Sequence, residues 1–341
     1  MIESYISKFI ENLPPEITQT KKPQHLNLVL DGGLFNGSYL IGALYFLQKM
    51  KTLNYIIIHK ISSCSIGSVC ALLYFNETLD HFFSFYEMVQ LQLKTAHNLD
   101  KIDEITQQLT AILKPDILTR VNKRLYITYY NIKSGKKIVI SKFISIDDLI
   151  KSVIRSCFIP LLINGEMLYE KKYIDGINPF FFSHSHSQHQ HMREKEKEPI
   201  KIKTLYLNLF TFNKLNDICN IKNEKTTYHR VLAGLLEIHT FFIKGYNSNS
   251  NSSNGHRNKT DMCCYVEDMG LTDKAIYLGR IVIEMIFIRI IYLWYYLSKK
   301  CKIKLDFFGI GEKNEKKGII HKLVKHIFNN IFGILLEHYF I

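Results

Sequence analysis

The stretch LNLVLDGGLFNG, Leu26 to Gly37, constrains this chain most tightly. An apolar run that reads as a strand over Leu26–Leu30 breaks into Gly32, Gly33 and Gly37, three glycines within six residues. A helical pattern follows over Ser38–Met50, where Tyr39, Leu40, Ala43, Leu44 and Leu47 recur at helical spacing. Glycines between a buried strand and a helix let backbone N–H groups approach an anion. That anion is either a bound phosphate or an oxyanion formed during catalysis, and the glycines alone do not choose. The Gly-Lys-Ser/Thr ending of a phosphate-binding P-loop does not follow them.

A second unit of the same kind comes next. A strand over Tyr55–Ile61 leads through SSCSIGS into an apolar helix ending near Phe75. Within that turn, Ser63-x-Ser65-x-Gly67 is one residue away from G-x-S-x-G, the sharp strand-to-helix elbow that exposes a nucleophilic serine. A serine-rich turn ahead of a buried helix is the plain alternative. Polar helices fill roughly 80–113. RLYITYYNIKSGKKIVIS then alternates as a hairpin turning at Ser134-Gly135, and a short helix lies near Ile146–Ser156. FIPLLINGEMLYEKKYIDGINPF ends in a strand at Lys172–Ile174 and a turn at Asp175-Gly176. Turn chemistry alone would also explain an aspartate there.

Strand–glycine turn–helix, strand–SxSxG–helix and then YIDGINPF resemble, in that order, the patatin-like phospholipases, a family of serine acyl hydrolases. DGGLFNGSYLIGAL is similar to the family's oxyanion loop, Ser63–Gly67 to its nucleophile elbow, and Asp175-Gly176 to its Asp-Gly motif. SCFIPLLINGEMLYEKKYIDG follows the family's Ile-Pro segment before that aspartate, and the likeness spans about residues 26–180. It implies a three-layer α/β/α fold with a central, mostly parallel sheet and a helical C-terminal region. It also implies a Ser–Asp dyad in place of a Ser-His-Asp triad. Ser65 would attack an ester carbonyl and form an acyl-enzyme, with Asp175 taking its proton. Backbone N–H groups of Gly32, Gly33 and Leu34 would hold the oxyanion, with Ser63, Gly67, Gly37 and Gly176 supporting the turns. The implied substrate is a phospholipid or another acyl lipid, and the chemistry needs no cofactor and no metal. Two positions depart from the family pattern: Leu34 replaces a third glycine, and Asn36 replaces a cation. A side chain at Leu34 is strained if the backbone there needs positive φ. An inactive patatin-like domain that binds lipid or protein, and a serine esterase with a histidine base, are the alternatives.

The 341 residues carry a formal charge of +13, which suits peripheral contact with an anionic membrane. Nucleic acid is not an expected partner, because no Arg-rich block or nucleic-acid signature is present. The seven cysteines show no C-x-x-C spacing, and the N-terminus lacks the apolar core of a secretory signal, so an intracellular location is expected. The chain divides into a leader over 1–25, a catalytic core over 26–210 and a mainly helical region over 211–341. A His-rich insert over 183–198 and an Asn/Ser-rich loop over 244–260 interrupt it. His184, His186, His189 and His191 alternate in the insert as a solvated loop, with metal binding the sharper alternative. Cys64 reads as small packing inside the elbow. Ile276–Leu297 is the most apolar segment, but Arg280, Glu284 and Arg289 interrupt it. It reads as a helix buried in the domain, with an interfacial membrane helix as the alternative. Ile320, Leu323, Val324, Ile327, Ile331, Ile334 and Leu335 form a further helical stripe, read as core packing or as a basic amphipathic helix on lipid.

Overall fold

From Leu26 onward every residue of the first strand, β1 (Gln24–Leu30), is buried, as a parallel strand with both faces covered requires. The computed structural model describes residues 2–300, apart from 20–21, 97–98, 100–101, 161, 165, 183–200, 212–213, 215–216, 219–226 and 248–261. Ahead of β1 stand α1 (Ile2–Glu11) and α2 (Pro15–Thr18). After it come α3 (Gly37–Thr52), β2 (Ile56–Cys64), α4 (Ile66–Asn76), α5 (His81–Ala96), α6 (Ile102–Ala111) and α7 (Ile117–Val121). A hairpin of β3 (Leu125–Asn131) and β4 (Lys136–Ile140) leads to α8 (Ile146–Cys157) and β5 (Tyr173–Asp175). Then follow β6 (Lys203–Leu207), α9 (Tyr228–Asn247), β7 (Cys263–Tyr265) and α10 (Leu271–Lys300).

The strands make one seven-stranded sheet in the order β4-β3-β2-β1-β6-β7. Its central strands β3, β2, β1 and β6 are parallel, whereas β4 and β7 pair antiparallel at the edges. The remaining strand, β5, pairs antiparallel with β3 just beyond the place where β2 leaves it. Cys64 of β2 is opposite Thr128, and Asp175 of β5 is opposite the next residue, Tyr129. This is an α/β fold.

Side chains alternate across each strand, and the alternation separates two layers. Leu26, Leu28 and Leu30 of β1, Ile127 and Tyr129 of β3, and Leu205 and Leu207 of β6 enter the main core with residues of α1, α3, α4, α8 and α9. The intervening residues face the other way. Tyr126 meets Phe180 and Phe182, and Tyr206 meets Phe181. Tyr130, Ile132 and Ile174 pack on Ile288 and Ile291 of α10. Among the described residues α10 therefore supplies the second helical layer. Ile6 and Ile10 of α1 and Val231, Leu235 and Ile238 of α9 join the same core, so residues on both sides of 26–210 complete one packed unit.

The hairpin turns at Gly135, whose φ of +64° suits glycine. α8 starts where Ser145 accepts a hydrogen bond from the Asp148 N–H, the usual closure of a helix start. Three features differ from expectation. β2 does not stop at Ile61 but runs on to Cys64, because Ser62 and Ser63 still pair with β1 while Ser63 and Cys64 pair with β3. β7 was not legible in the sequence: its three residues gain strand geometry by closing the edge of β6. The segment Ile276–Leu297 is not buried within the domain. It forms the middle of α10, which covers the sheet with one face and leaves Leu278, Val282, Ile283, Ile286, Ile290 and Leu293 exposed. No helix among the described residues is long and apolar enough to cross a membrane.

Candidate active site

β2 ends at Cys64 and α4 begins at Ile66, so Ser65 must make the whole turn by itself. It does so at φ +50° and ψ −136°, a conformation that costs an L-residue about 1–3 kcal/mol. Neighbouring groups hold the turn in place. The Ser65 N–H donates to Ser156 Oγ at 2.9 Å, and Ser156 Oγ donates to the Thr128 carbonyl at 2.7 Å. Cys157 Sγ donates to the Ser65 carbonyl at 3.1 Å. Ser63, where the family pattern has glycine, shares a hydroxyl contact of 3.2 Å with Ser68, and Ser68 shares one of 3.1 Å with Ser156. The extra hydroxyl at Ser63 is thus satisfied inside the buried elbow.

Gly67 allows the closest packing in this turn. A Cβ on it would lie 2.6 Å from the Asp31 carbonyl oxygen and 3.0 Å from that of Leu30. At Gly176 a Cβ would run into the Thr128 carbonyl, and at Gly37 into the Ile66 side chain. All three positions draw the glycine loop, the elbow and the Asp-Gly turn together.

Ser65 Oγ donates to Asp175 Oδ2 at 2.8 Å. The proximity follows from the register, since β2 and β5 meet end to end along one edge of β3. Asp175 is partly buried and its Oδ1 is sealed from solvent with no hydrogen-bond partner among the described residues. Burial pushes its carboxyl up to about 7. The hydrogen bond from Ser65 and the nearby Gly176 backbone pull the other way, while the negative charge of Glu284 adds to the rise. Among the described residues no histidine is hydrogen-bonded to Ser65 Oγ. His239 stacks on Phe9 at 4.5 Å, while His321, His326 and His338 lie outside the described residues.

The glycine loop faces the same serine. A Cβ on Gly32 would sit 2.9 Å from Ser65 Cβ and 3.7 Å from its Oγ. The Gly32 N–H, however, donates to Asp31 Oδ1 at 3.0 Å, so this amide is already engaged. The N–H groups of Gly33 and Leu34 have no acceptor among the described residues. Gly33 adopts φ +153° and Leu34 φ +46°, so the side chain at Leu34 does carry the backbone strain expected of it, about 1–2 kcal/mol. The amino end of α4 begins next to Ser65, and its unpaired amides favour negative charge there.

Asn36 has a role that the sequence did not disclose. It is fully buried, and its Nδ2 donates to the carbonyls of Lys214 at 2.9 Å and Leu209 at 3.4 Å. Arg230 Nη1 lies 3.4 Å from Asn36 Oδ1 and donates to the Asp217 carbonyl at 2.8 Å. A guanidinium reaches the loop after all, from α9. An arginine at position 36 would bury a second one against it.

Asp31, the residue before the glycines, is also more than part of a motif. It is 0% exposed and receives Arg280 of α10 bidentately, Nη1 to Oδ2 and Nη2 to Oδ1, both at 2.9 Å. Tyr206 Oη and the Leu209 N–H also donate to Oδ2, at 2.9 and 3.3 Å. Two turns of strand ends are thereby tied to α10 across 249 residues of sequence. Glu284, one helical turn after Arg280, is 2% exposed and accepts from Asn178 Nδ2 at 2.9 Å, with Lys137 at 3.5 Å.

Cys64 is fully buried, and burial pushes its thiol well above the usual range, which suits packing and not attack. His184, His186, His189 and His191 lie outside the described residues, as does the apolar stripe from Ile320 to Leu335. No protein-family model matches the chain, and no curated protein matches it.

Proposed function

We propose that this chain is a patatin-like serine acyl hydrolase that cleaves acyl esters of phospholipids or related lipids. One observation carries the reading: on a strained strand-to-helix elbow, Ser65 Oγ donates to Asp175 Oδ2 at 2.8 Å. A strained elbow that presents a serine hydroxyl, with a carboxylate already in hydrogen-bond reach, is the arrangement nucleophilic catalysis needs.

In this mechanism Asp175 takes the Ser65 proton as Oγ attacks the ester carbonyl carbon. The carbonyl π electrons move onto oxygen, and the amides of Gly33 and Leu34 with the start of α4 offset that negative charge. One preorganised donor of this kind is worth about 3–4 kcal/mol. Collapse of the tetrahedral intermediate expels the alcohol, which takes the proton back from Asp175. Water gives a proton to the same carboxylate as it attacks the acyl-enzyme carbonyl, and collapse of the second tetrahedral intermediate releases the fatty acid while Ser65 Oγ takes the proton back from Asp175. A carboxyl pushed up to about 7 is half ionised at neutral pH, a suitable poise for a base that must also return its proton.

A fluorophosphonate probe tests the reading. Wild-type protein is expected to label and to hydrolyse a short-chain ester, whereas Ser65→Ala does neither while keeping its circular-dichroism spectrum. Label persisting on folded Ser65→Ala would place the nucleophile elsewhere. A wild-type protein inert to probe and ester would leave the inactive lipid- or protein-binding alternative.

A further inference from the structure

We propose that α10 is a docking helix for an anionic phospholipid surface, with the lipid phosphates taken by a basic cleft beside it. α10 is about 45 Å long and has two opposite stripes. Arg280, Glu284, Ile288 and Ile291 recur three or four residues apart and face the protein, the last three at 8% exposure or less. Leu278, Val282, Ile286, Ile290 and Leu293 recur at the same spacing on the outside, with Ile283 beside them. Ile283 is 68% exposed and Leu278 65%. Between residues 275 and 296 the charged side chains are Arg280, Glu284 and Arg289, and the first two are turned inward. A helix apolar on both sides is normally buried all round, so the outer stripe calls for an apolar partner.

Charge at the border identifies that partner. A cleft of about 420 Å³ lies between α10 and the β3–β4 turn, lined by Lys133 and Arg289 together with Tyr130, Met285, Ile288 and Tyr292. Lys133, Arg289 and the neighbouring exposed Lys136 form no salt bridge among the described residues. An apolar stripe edged by unpaired cations is the surface that settles into the headgroup boundary of an anionic bilayer. A second copy packed symmetrically on this stripe would bring two basic borders of like sign together. The chain's charge of +13 acts in the same direction.

The helix also reaches both halves of the dyad site. Arg280 grips Asp31, next to Gly32, and Glu284 grips Asn178, three residues after Asp175. A lipid surface seated on α10 thus lies one contact away from both loops. Docking follows from the surface chemistry, and only its link to turnover rests on the hydrolase reading.

Co-sedimentation of the full chain with phosphatidylcholine vesicles, with and without phosphatidylglycerol, tests the proposal. Wild-type protein binds the anionic vesicles better, and added salt weakens the difference. Lys133→Ala with Arg289→Ala should lower binding to anionic vesicles about 25-fold, roughly fivefold per cation. It should leave phosphatidylcholine binding unchanged. Ile283→Asp with Ile290→Asp should lower binding to both by about 100-fold. Short-chain ester turnover, measured alongside, should not change in either variant. Vesicle binding without turnover would sink the hydrolase reading and keep the docking proposal, and turnover without vesicle binding would do the reverse. Binding that survives Ile283→Asp with Ile290→Asp overturns the proposal. So does a dimer that this pair dissociates in a protein that ignores vesicles. An intrachain cross-link from Ile283→Cys to residues 301–341, again without vesicle binding, would give the stripe to the chain's own C-terminal segment and also overturn it.

Discussion

Asp31 and Asp175 occupy similar places, yet their surroundings treat them in opposite ways. Asp31 follows the last residue of β1, Asp175 is the last residue of β5, and a glycine follows each. Asp31 is fully buried and accepts five hydrogen bonds, from Gly32, Tyr206, Leu209 and twice from Arg280. Asp175 accepts one from Ser65, and its Oδ1 has no hydrogen-bond partner among the described residues. Both carboxylates are shielded from water, and what differs is the partner. A guanidinium pairs with Asp31 and makes it an anchor for α10. At Asp175 a hydroxyl only partly offsets burial, and the carboxyl takes up a proton near neutrality.

Asp175→Asn removes the carboxylate while keeping the shape of the side chain. Turnover should fall about 10⁴-fold, since an amide cannot accept the Ser65 proton. Stability should move the opposite way. The folded carboxyl sits near 7 while the unfolded one is near 3.9, so the native state loses stability as pH rises between those values. Asp175→Asn escapes that loss. Urea denaturation should find it equal to wild type below about pH 4 and more stable by up to about 4 kcal/mol above pH 7. A variant that is inactive and also less stable at pH 8 would mean the carboxylate is not under strain.

Arg280→Met attacks the other aspartate by leaving Asp31 charged, buried and without its cation. A loss of about 3 to 4 kcal/mol is expected in the same denaturation assay. Adding Asp31→Asn to Arg280→Met should recover part of it. If both variants unfold at the wild-type midpoint, the pair does not anchor α10. The smallest expected effect comes from Glu284→Gln, which removes the negative charge that adds to the rise at Asp175 but keeps an acceptor for Asn178. Ester turnover at pH 6 should rise roughly twofold and stay level at pH 9, where the carboxylate is ionised in both proteins. A profile that does not move would remove Glu284 from the site's electrostatics.

The parts legible in the sequence were those written locally. Ser65 stands between a strand and a helix within a few residues of both, and the hairpin at Gly135 carries its own alternation and turn. Asp175 was legible through chain order and the family resemblance. What escaped was long-range or carried by an ordinary residue. Ser156, which holds the Ser65 amide, is one serine among many. Asn36 looked like a missing cation, and only its contacts with residues 209–230 show it as a knot. Gly32 looked like an oxyanion donor, but its amide is taken by the preceding side chain. The charges of α10 looked like interruptions of an apolar run because their partners lie 106 and 249 residues away. No periodicity records a pairing of that kind.

The meeting of β2 and β5 along one edge of β3 has a consequence for how this site tolerates change. Side-chain packing can creep by tenths of an ångström, but strand pairing moves in whole residues of about 3.3 Å, and a single step turns every side chain to the opposite face. The groups that hold the turn, Ser156 and Cys157, set the tenths of an ångström between Ser65 and Asp175. Register sets the coarse distance, and a slip of the Tyr129–Asp175 pairing would part the two side chains in one step.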